Sequence, residues 1–201
     1  MAITYPITMP LGADGRTLIQ SLQMGVVSKV GVSESPFTFK QQIQDYNDSR
    51  WEGTITTRPL YGADILAMRG FILSMKGRKG IFEFSVPQNL SNDYELGSAY
   101  NSEDDMDIAI KSGVTPSHAM TAGTYFQLGV AGSRRLFMTI EDRQTAANTA
   151  VVPSGFGQSS GGGSDLITIN PLCRAKLMDN TTMYGVDITE GHSFTFAFHG
   201  V

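Results

Sequence analysis

The sequence predicts a mainly β protein: a β-barrel or sandwich with one flanking α-helix and an inserted second small β domain. Three observations support this fold class. Short runs of alternating apolar and polar residues recur along the 201-residue chain, as expected of strands with one buried face. The 22 glycines suit many tight turns between short strands. One stretch, about residues 60–76, has apolar residues at helical spacing instead.

The alternating runs begin in the first quarter of the chain. Apolar and polar residues alternate over most of 18–32, and this pattern predicts a strand. Two further runs, 37–43 and 51–57, flank the polar residues 45–49, which predicts a hairpin that turns there. Trp51 opens the second run. On an alternating strand a tryptophan is more often part of the core than a carbohydrate-binding platform.

The predicted helix at residues 60–76 follows Pro59 and ends before Gly77, which are common boundary residues. Its apolar residues include Leu66 and Phe71, and we expect this stripe to pack on the β-structure. If Leu66 is buried, the substitution Leu66→Asp should cost several kcal/mol, because it places a charge in the core.

Aromatic residues recur in the strands after the helix. A strand predicted at 81–86 contains Phe82, and the C-terminal run 193–198 places three phenylalanines on one face. We expect these residues and those named above to provide the main packing or assembly contacts: Trp51, Leu66, Phe71, Phe82, Phe194 and Phe196.

The middle of the chain differs in composition. Residues 88–120 are polar and acidic, and residues 152–165 are rich in glycine and serine. This change predicts a β-barrel domain with one helix built from residues 1–87 plus 166–201. Residues 88–165 are predicted to form an inserted β subdomain with an acidic loop and a Gly/Ser-rich loop.

The sequence contains no recognisable catalytic, metal-binding or cofactor-binding constellation, so we predict no enzymatic activity and no cofactor. His192 and His199 are seven residues apart, which places them on opposite faces of one strand. Cys173 has no nearby basic partner that would activate its thiol. The net charge of −4 does not indicate a nucleic-acid-binding face. We find neither a signal peptide nor a membrane-spanning run.

Three segments have a recognisable order: residues 35–42 running into 50–55, residues 71–82, and residues 193–198. They give a hairpin with a Trp-containing strand, one helix ending in a Gly-rich turn, a Phe-containing strand and an aromatic C-terminal strand. In this order they resemble the tail-tip ring proteins of long-tailed bacteriophages, the distal tail and lambda-type minor tail group. Residues 125–140 also resemble an inserted β domain of larger members.

This resemblance implies a structural virion protein that is made in the host cytoplasm and forms a ring at the distal end of the tail. The ring is homo-oligomeric and hexameric in this interpretation. It joins the tail tube protein to the hub or tip proteins, without a membrane, and DNA passes through its lumen. Two alternatives stay open: another tail ring component (a tube or completion protein), or a carbohydrate-binding β-sandwich module suggested by the aromatic content.

Two segments have predicted roles within such a ring. Residues 1–11 are extended and proline-bounded, and we expect them to be an arm whose deletion weakens assembly more than monomer folding. An acidic cluster lacks the ligand spacing and central glycine of a calcium loop. A solvated loop is the favoured interpretation, ahead of a lumen lining that repels DNA and of a metal site. The cluster consists of Glu103, Asp104, Asp105 and Asp107.

Overall fold

A computed structural model describes residues 3–88, 107–109, 121–129, 135–139, 149–151, 165–167, 169–180 and 191–201. The predicted fold class, mainly β with one helix, is confirmed for this part of the chain. The elements, in chain order, are β1 (Ile7–Thr8), β2 (Ile19–Glu34), β3 (Gln41–Thr57), α1 (Ala63–Met75), a 3₁₀ turn (Gly77–Lys79), β4 (Phe82–Ser85), β5 (Asp107–Ala109), β6 (Tyr125–Gly129), β7 (Arg135–Met138), β8 (Thr149–Val151), β9 (Asp165–Ile167), β10 (Leu172–Leu177) and β11 (Thr195–Gly200).

Internal contacts divide the chain into two compact units. The first consists of Met1–Gly25, Trp51–Ser85 and Leu172–Val201, and the second of Val26–Arg50 and Val86–Pro171. Residues 26–50, which the sequence analysis assigned to the first domain, therefore group with the second unit.

The main sheet has the strand order β1-β4-β10-β11-β3-β2. Strand β1 pairs with β4 in parallel, whereas β4, β10, β11 and β3 pair successively antiparallel. The two C-terminal strands thus lie between β4 and β3, so the chain returns at its end to the sheet that its earlier strands form.

Aromatic rings join the helix to this sheet. The Phe82 ring, fully buried, lies edge-on to Phe71 of α1 with a centroid distance of 5.6 Å. Its centroid is 5.9 Å from that of Phe84 in the same strand and 6.1 Å from that of Phe196 in β11. Alternation along β4 and β11 places these rings on one face of the sheet, where they form the centre of the first unit's core.

The helix is shorter than the predicted range of 60–76. It begins at Ala63, because Leu60 pairs its backbone with His192 as an isolated bridge and so belongs to the β-structure. It ends where Lys76 takes the left-handed conformation, with φ of 52°. The Lys76 amide then donates to the Leu73 carbonyl, which satisfies one of the last carbonyl groups of the helix.

The first hairpin turns at a different place from the one predicted. Residues 45–49, predicted as the turn, lie inside β3, and the chain reverses between Glu34 and Gln41. Strand β11 pairs with β3 only over Glu52–Thr56. Before Glu52, β2 is the only strand neighbour that the structure describes for β3. A two-stranded segment of this kind does not require apolar alternation, so its polar residues were misinterpreted as a turn.

The segment before β2 is bound to the chain's own sheet. The Ile7 and Met9 amides donate to the Ile81 and Glu83 carbonyls at 2.9 and 2.8 Å, and the Tyr5 hydroxyl donates to the Ser74 carbonyl at 2.9 Å. The Met9 side chain is buried. These residues are therefore part of the monomer's own sheet, and their role in contacts with neighbouring subunits stays a prediction.

Deletion of residues 3–10 should accordingly destabilise the monomer. It removes the buried Met9 side chain and the hydrogen bonds to β4, so we expect the free energy of unfolding to fall by about 3 kcal/mol or more. Urea denaturation followed by the fluorescence of Trp51 would measure this change. An unchanged midpoint would show that the segment contributes nothing to folding. The matched control is Ile3→Ala, which removes an exposed side chain from the same segment.

The second unit contains two small sheets in its described residues, one pairing β5 with β8 and the other ordered β7-β6-β9. The Phe126 and Phe137 rings stack across β6 and β7 with centroids 5.7 Å apart. The Gln88 side-chain amide donates to the Tyr125 carbonyl and accepts from the Tyr125 amide at 2.7 and 3.0 Å. Gln88 therefore binds the start of β6 as a further strand would.

Candidate assembly surface

Most of the predicted packing residues lie in the core. Phe71, Phe82, Phe194 and Phe196 are buried, and so is Trp51. The core interpretation of Trp51 is therefore confirmed, and its indole has no open face on which a sugar ring would stack.

Leu66 is the exception, and the expectation that it packs on the β-structure is wrong. The helix turns Met68, Phe71, Ile72 and Met75 inward, at the i, i+3, i+4, i+7 spacing of one face. Leu66 lies outside this face and remains 68% exposed. Because α1 is apolar around much of its circumference, the sequence pattern does not distinguish the buried stripe from the exposed one.

We now expect Leu66→Asp to change monomer stability by no more than about 0.5 kcal/mol. Its side chain already lies in water, and an acidic group in the first turn of a helix is favourable to the helix dipole. The matched control is Met68→Asp, which buries the charge and should destabilise by several kcal/mol. Equal losses for the two variants in urea denaturation would contradict this assignment of the helix faces.

The outer face of α1 forms an apolar strip. Leu66 and Leu73 are seven residues apart, hence on the same side of the helix, and Leu73 is 65% exposed. Gly70 lies between them, and nothing approaches within 4 Å of the position a Cβ would occupy. We call Leu66, Gly70 and Leu73 the helix strip. Two leucines flanking a glycine leave a shallow notch open to solvent.

The hairpin of β2 and β3 presents further apolar side chains to solvent. Val27, Val30 and Val32 of β2 are exposed, and so is Ile43 of β3. Exposed apolar residues on a two-stranded segment are typical of a surface that another protein covers. We call residues 26–50 the hairpin arm.

Of the aromatic residues that the structure describes, the most exposed are in the turn of the hairpin arm. Phe37 is 92% exposed and Phe39 is 77% exposed. The Phe39 amide donates to the Ser35 carbonyl at 2.9 Å, and the Ser35 amide donates to the Lys40 carbonyl at 3.0 Å. Phe39 has φ of 53°, a region that aromatic residues seldom occupy. The hydrogen-bonded turn thus holds both rings in water at an energetic cost to the isolated chain.

Sequence reasoning missed Phe37 and Phe39 as surface residues, since it placed them in an alternating strand. Pro36 and the small polar residues around it were the available signal, because they indicate a turn rather than a strand. The acidic cluster yields no structural test: Glu103, Asp104 and Asp105 lie outside the described residues, and the structure describes only the backbone of Asp107.

The titratable groups of the described residues do not suggest catalysis. Burial raises the pKa of the Cys173 thiol to about 12, so the thiol is protonated and unreactive at neutral pH. Arg58 donates two hydrogen bonds to Asp14 and holds the pKa of that carboxyl below its usual value. Within the described ranges, we find neither a group of three metal-ligating side chains nor a helix able to cross a membrane.

The chain matches no protein-family model. It also shows no significant similarity to a curated protein sequence.

Proposed function

We propose that this chain is a non-enzymatic structural subunit of a homo-oligomeric ring at the distal end of a long bacteriophage tail. In this proposal the ring has six copies, joins the tail tube protein to the hub or tip proteins and leaves a lumen through which DNA passes. The protein acts in the virion after synthesis in the host cytoplasm, without a cofactor or a membrane.

The observation that carries the proposal is the exposed aromatic turn of the hairpin arm. Phe37 and Phe39 lie almost wholly in water, in a turn whose backbone includes an unfavourable φ at Phe39. In a monomer this arrangement only costs free energy. In an assembly the same two rings become buried anchors, the role that aromatic residues most often have at protein interfaces.

The position of the family-like segments supports the same proposal. Residues 35–42 form the turn and the start of β3, and residues 50–55 lie within β3. Residues 71–82 run from α1 into β4, and residues 193–198 lead into and cover most of β11. The last two segments together supply the aromatic core of the first unit. Such a scaffold supports many functions, so the location at a tail tip depends on the resemblance alone.

Two other functions, a different tail ring component and a carbohydrate-binding module, are the alternatives to this proposal. A tail tube or completion protein would use the same arm, and only its position in the virion separates it from a tail-tip ring. A carbohydrate-binding module was suggested by the aromatic content, and it could not use Trp51 as its platform, because that side chain is buried.

Immunogold electron microscopy of virions would test the proposed location. An antibody raised against the purified chain is applied to particles of the phage whose genome encodes it. We expect gold at the distal end of the tail. Label along the whole tail would favour a tube protein, label at the head-proximal end a completion protein, and unlabelled virions would reject the proposal. A pre-immune antibody provides the control.

A further inference from the structure

Among the exposed apolar side chains of the described residues, two groups are considered as partners in an assembly. One is the pair of rings at the tip of the hairpin arm, Phe37 and Phe39, and the other is the helix strip. Each of the two phenylalanine rings can bury roughly 150–250 Å² against a partner. The strip offers two leucines and, at Gly70, a notch with open space above it. Both surfaces are apolar, and the open space at Gly70 can admit an exposed ring of the tip.

We propose that the aromatic tip of one copy docks on the helix strip of a second copy, with a phenylalanine ring over Gly70 between Leu66 and Leu73. This inference rests on the proposed ring function and names the contact that closes the ring. The two surfaces are different parts of one chain, and in the proposed ring they meet head-to-tail. Each copy then has an unused tip or strip for a further copy until the ring closes.

The area of the contact also favours a ring over a simple pair. Counting both partners, one tip on one strip buries on the order of 600–1,000 Å², which is below the roughly 1,200–2,000 Å² of a stable interface. In a closed ring each copy takes part in two such contacts, so its removal exposes about twice that area. A dimer joined by one such contact leaves one tip and one strip in water, whereas a two-fold dimer with two reciprocal contacts leaves neither. The cross-linked products of a chain that carries both cysteines separate the two cases, because the reciprocal dimer would stop at two copies.

Cysteine cross-linking tests the contact directly. Thr38 is exposed between the two phenylalanines, and Gly70 lies at the centre of the strip. Thr38→Cys and Gly70→Cys chains are prepared separately, mixed and treated with a short bis-maleimide. The unmodified chain is the control, because its single cysteine, Cys173, is buried and should not react. We expect covalent dimers in the mixture and none from either variant alone. A chain with both substitutions should give a ladder of products that stops at the ring size.

The outcomes separate this inference from the proposed function. Rings seen by electron microscopy without the mixed cross-link would overturn the tip-to-strip contact and leave the ring function standing. Cross-links of Thr38→Cys to itself would show a tip-to-tip contact and also overturn it. A chain without rings and without cross-links would reject both.

A second measurement covers the case in which the cysteines disturb packing. Replacing both Phe37 and Phe39 by serine should raise the concentration at which the assembly half-dissociates by roughly tenfold or more. The thermal unfolding of the monomer should stay unchanged, since both rings are exposed. The matched control, Leu11→Ser, removes an exposed apolar side chain elsewhere on the chain and should leave assembly intact. Equal dissociation of the two variants would overturn the inference.

Discussion

Phe82→Ala should lower the free energy of unfolding of the first unit by about 3–5 kcal/mol. The ring is fully buried and lies between Phe71, Phe84 and Phe196, with centroids 5.6–6.1 Å away. Phe71 of α1 contacts the sheet through the Phe82 ring. Removing this ring therefore leaves a cavity between the helix and the sheet. The loss should appear as a lower urea midpoint with little change in slope.

The chain supplies its own probe and control for this experiment. Trp51 is the only tryptophan and is buried in the first unit, so its fluorescence reports the unfolding of that unit. Phe37→Ala removes the same chemical group from an exposed position and should change monomer stability by less than about 0.5 kcal/mol. A small effect of Phe82→Ala would contradict the account of the core given above.

Gly53→Ala should lower the stability by about 1–3 kcal/mol. A Cβ at this position of β3 would lie 2.2 Å from the Gln23 carbonyl oxygen and 3.0 Å from the Phe198 ring. The first of these is backbone, so β2 and β3 must separate to admit even a methyl group. Hydrogen exchange of the amides of β2 and β3 should become faster in this variant.

Gly25→Ala is the matched control for this substitution. Gly25 lies in β2, and a Cβ there meets nothing within 4 Å. Alanine restricts the unfolded chain more than glycine does, so this variant should be neutral or slightly more stable. If both glycine variants lose stability equally, close approach of β2 and β3 is not the reason that Gly53 is needed.

Alternation predicted the strands correctly where one face is buried and the other is not. Strands β4 and β11 follow this pattern, because a strand packed against a core places every second side chain inward. The inward side chains are Phe82 and Phe84 in β4 and Phe196 and Phe198 in β11. Alternation failed in the hairpin arm. Phe37 and Phe39 fit the pattern of a half-buried strand, yet they lie in a turn and in water.

The candidate site was less predictable than the fold, for a physical reason. An assembly surface consists of apolar residues left outside, and a sequence pattern assigns such residues to the core by default. Leu66 was therefore expected inside, and only the packing of α1 through Phe71 shows that it faces outward. The N-terminal segment was unpredictable in another way, since its extended, proline-bounded sequence does not reveal the hydrogen bonds that Ile7 and Met9 make to the sheet.

The central claim is that this chain forms a closed ring with copies of itself. Native mass spectrometry of the full chain, combined with negative-stain electron microscopy of the same sample, tests it most directly. The account predicts one discrete closed species, of six copies by the family resemblance, with a central lumen in end views. A chain that stays monomeric at all accessible concentrations, or that gives only open-ended or irregular aggregates, would contradict it.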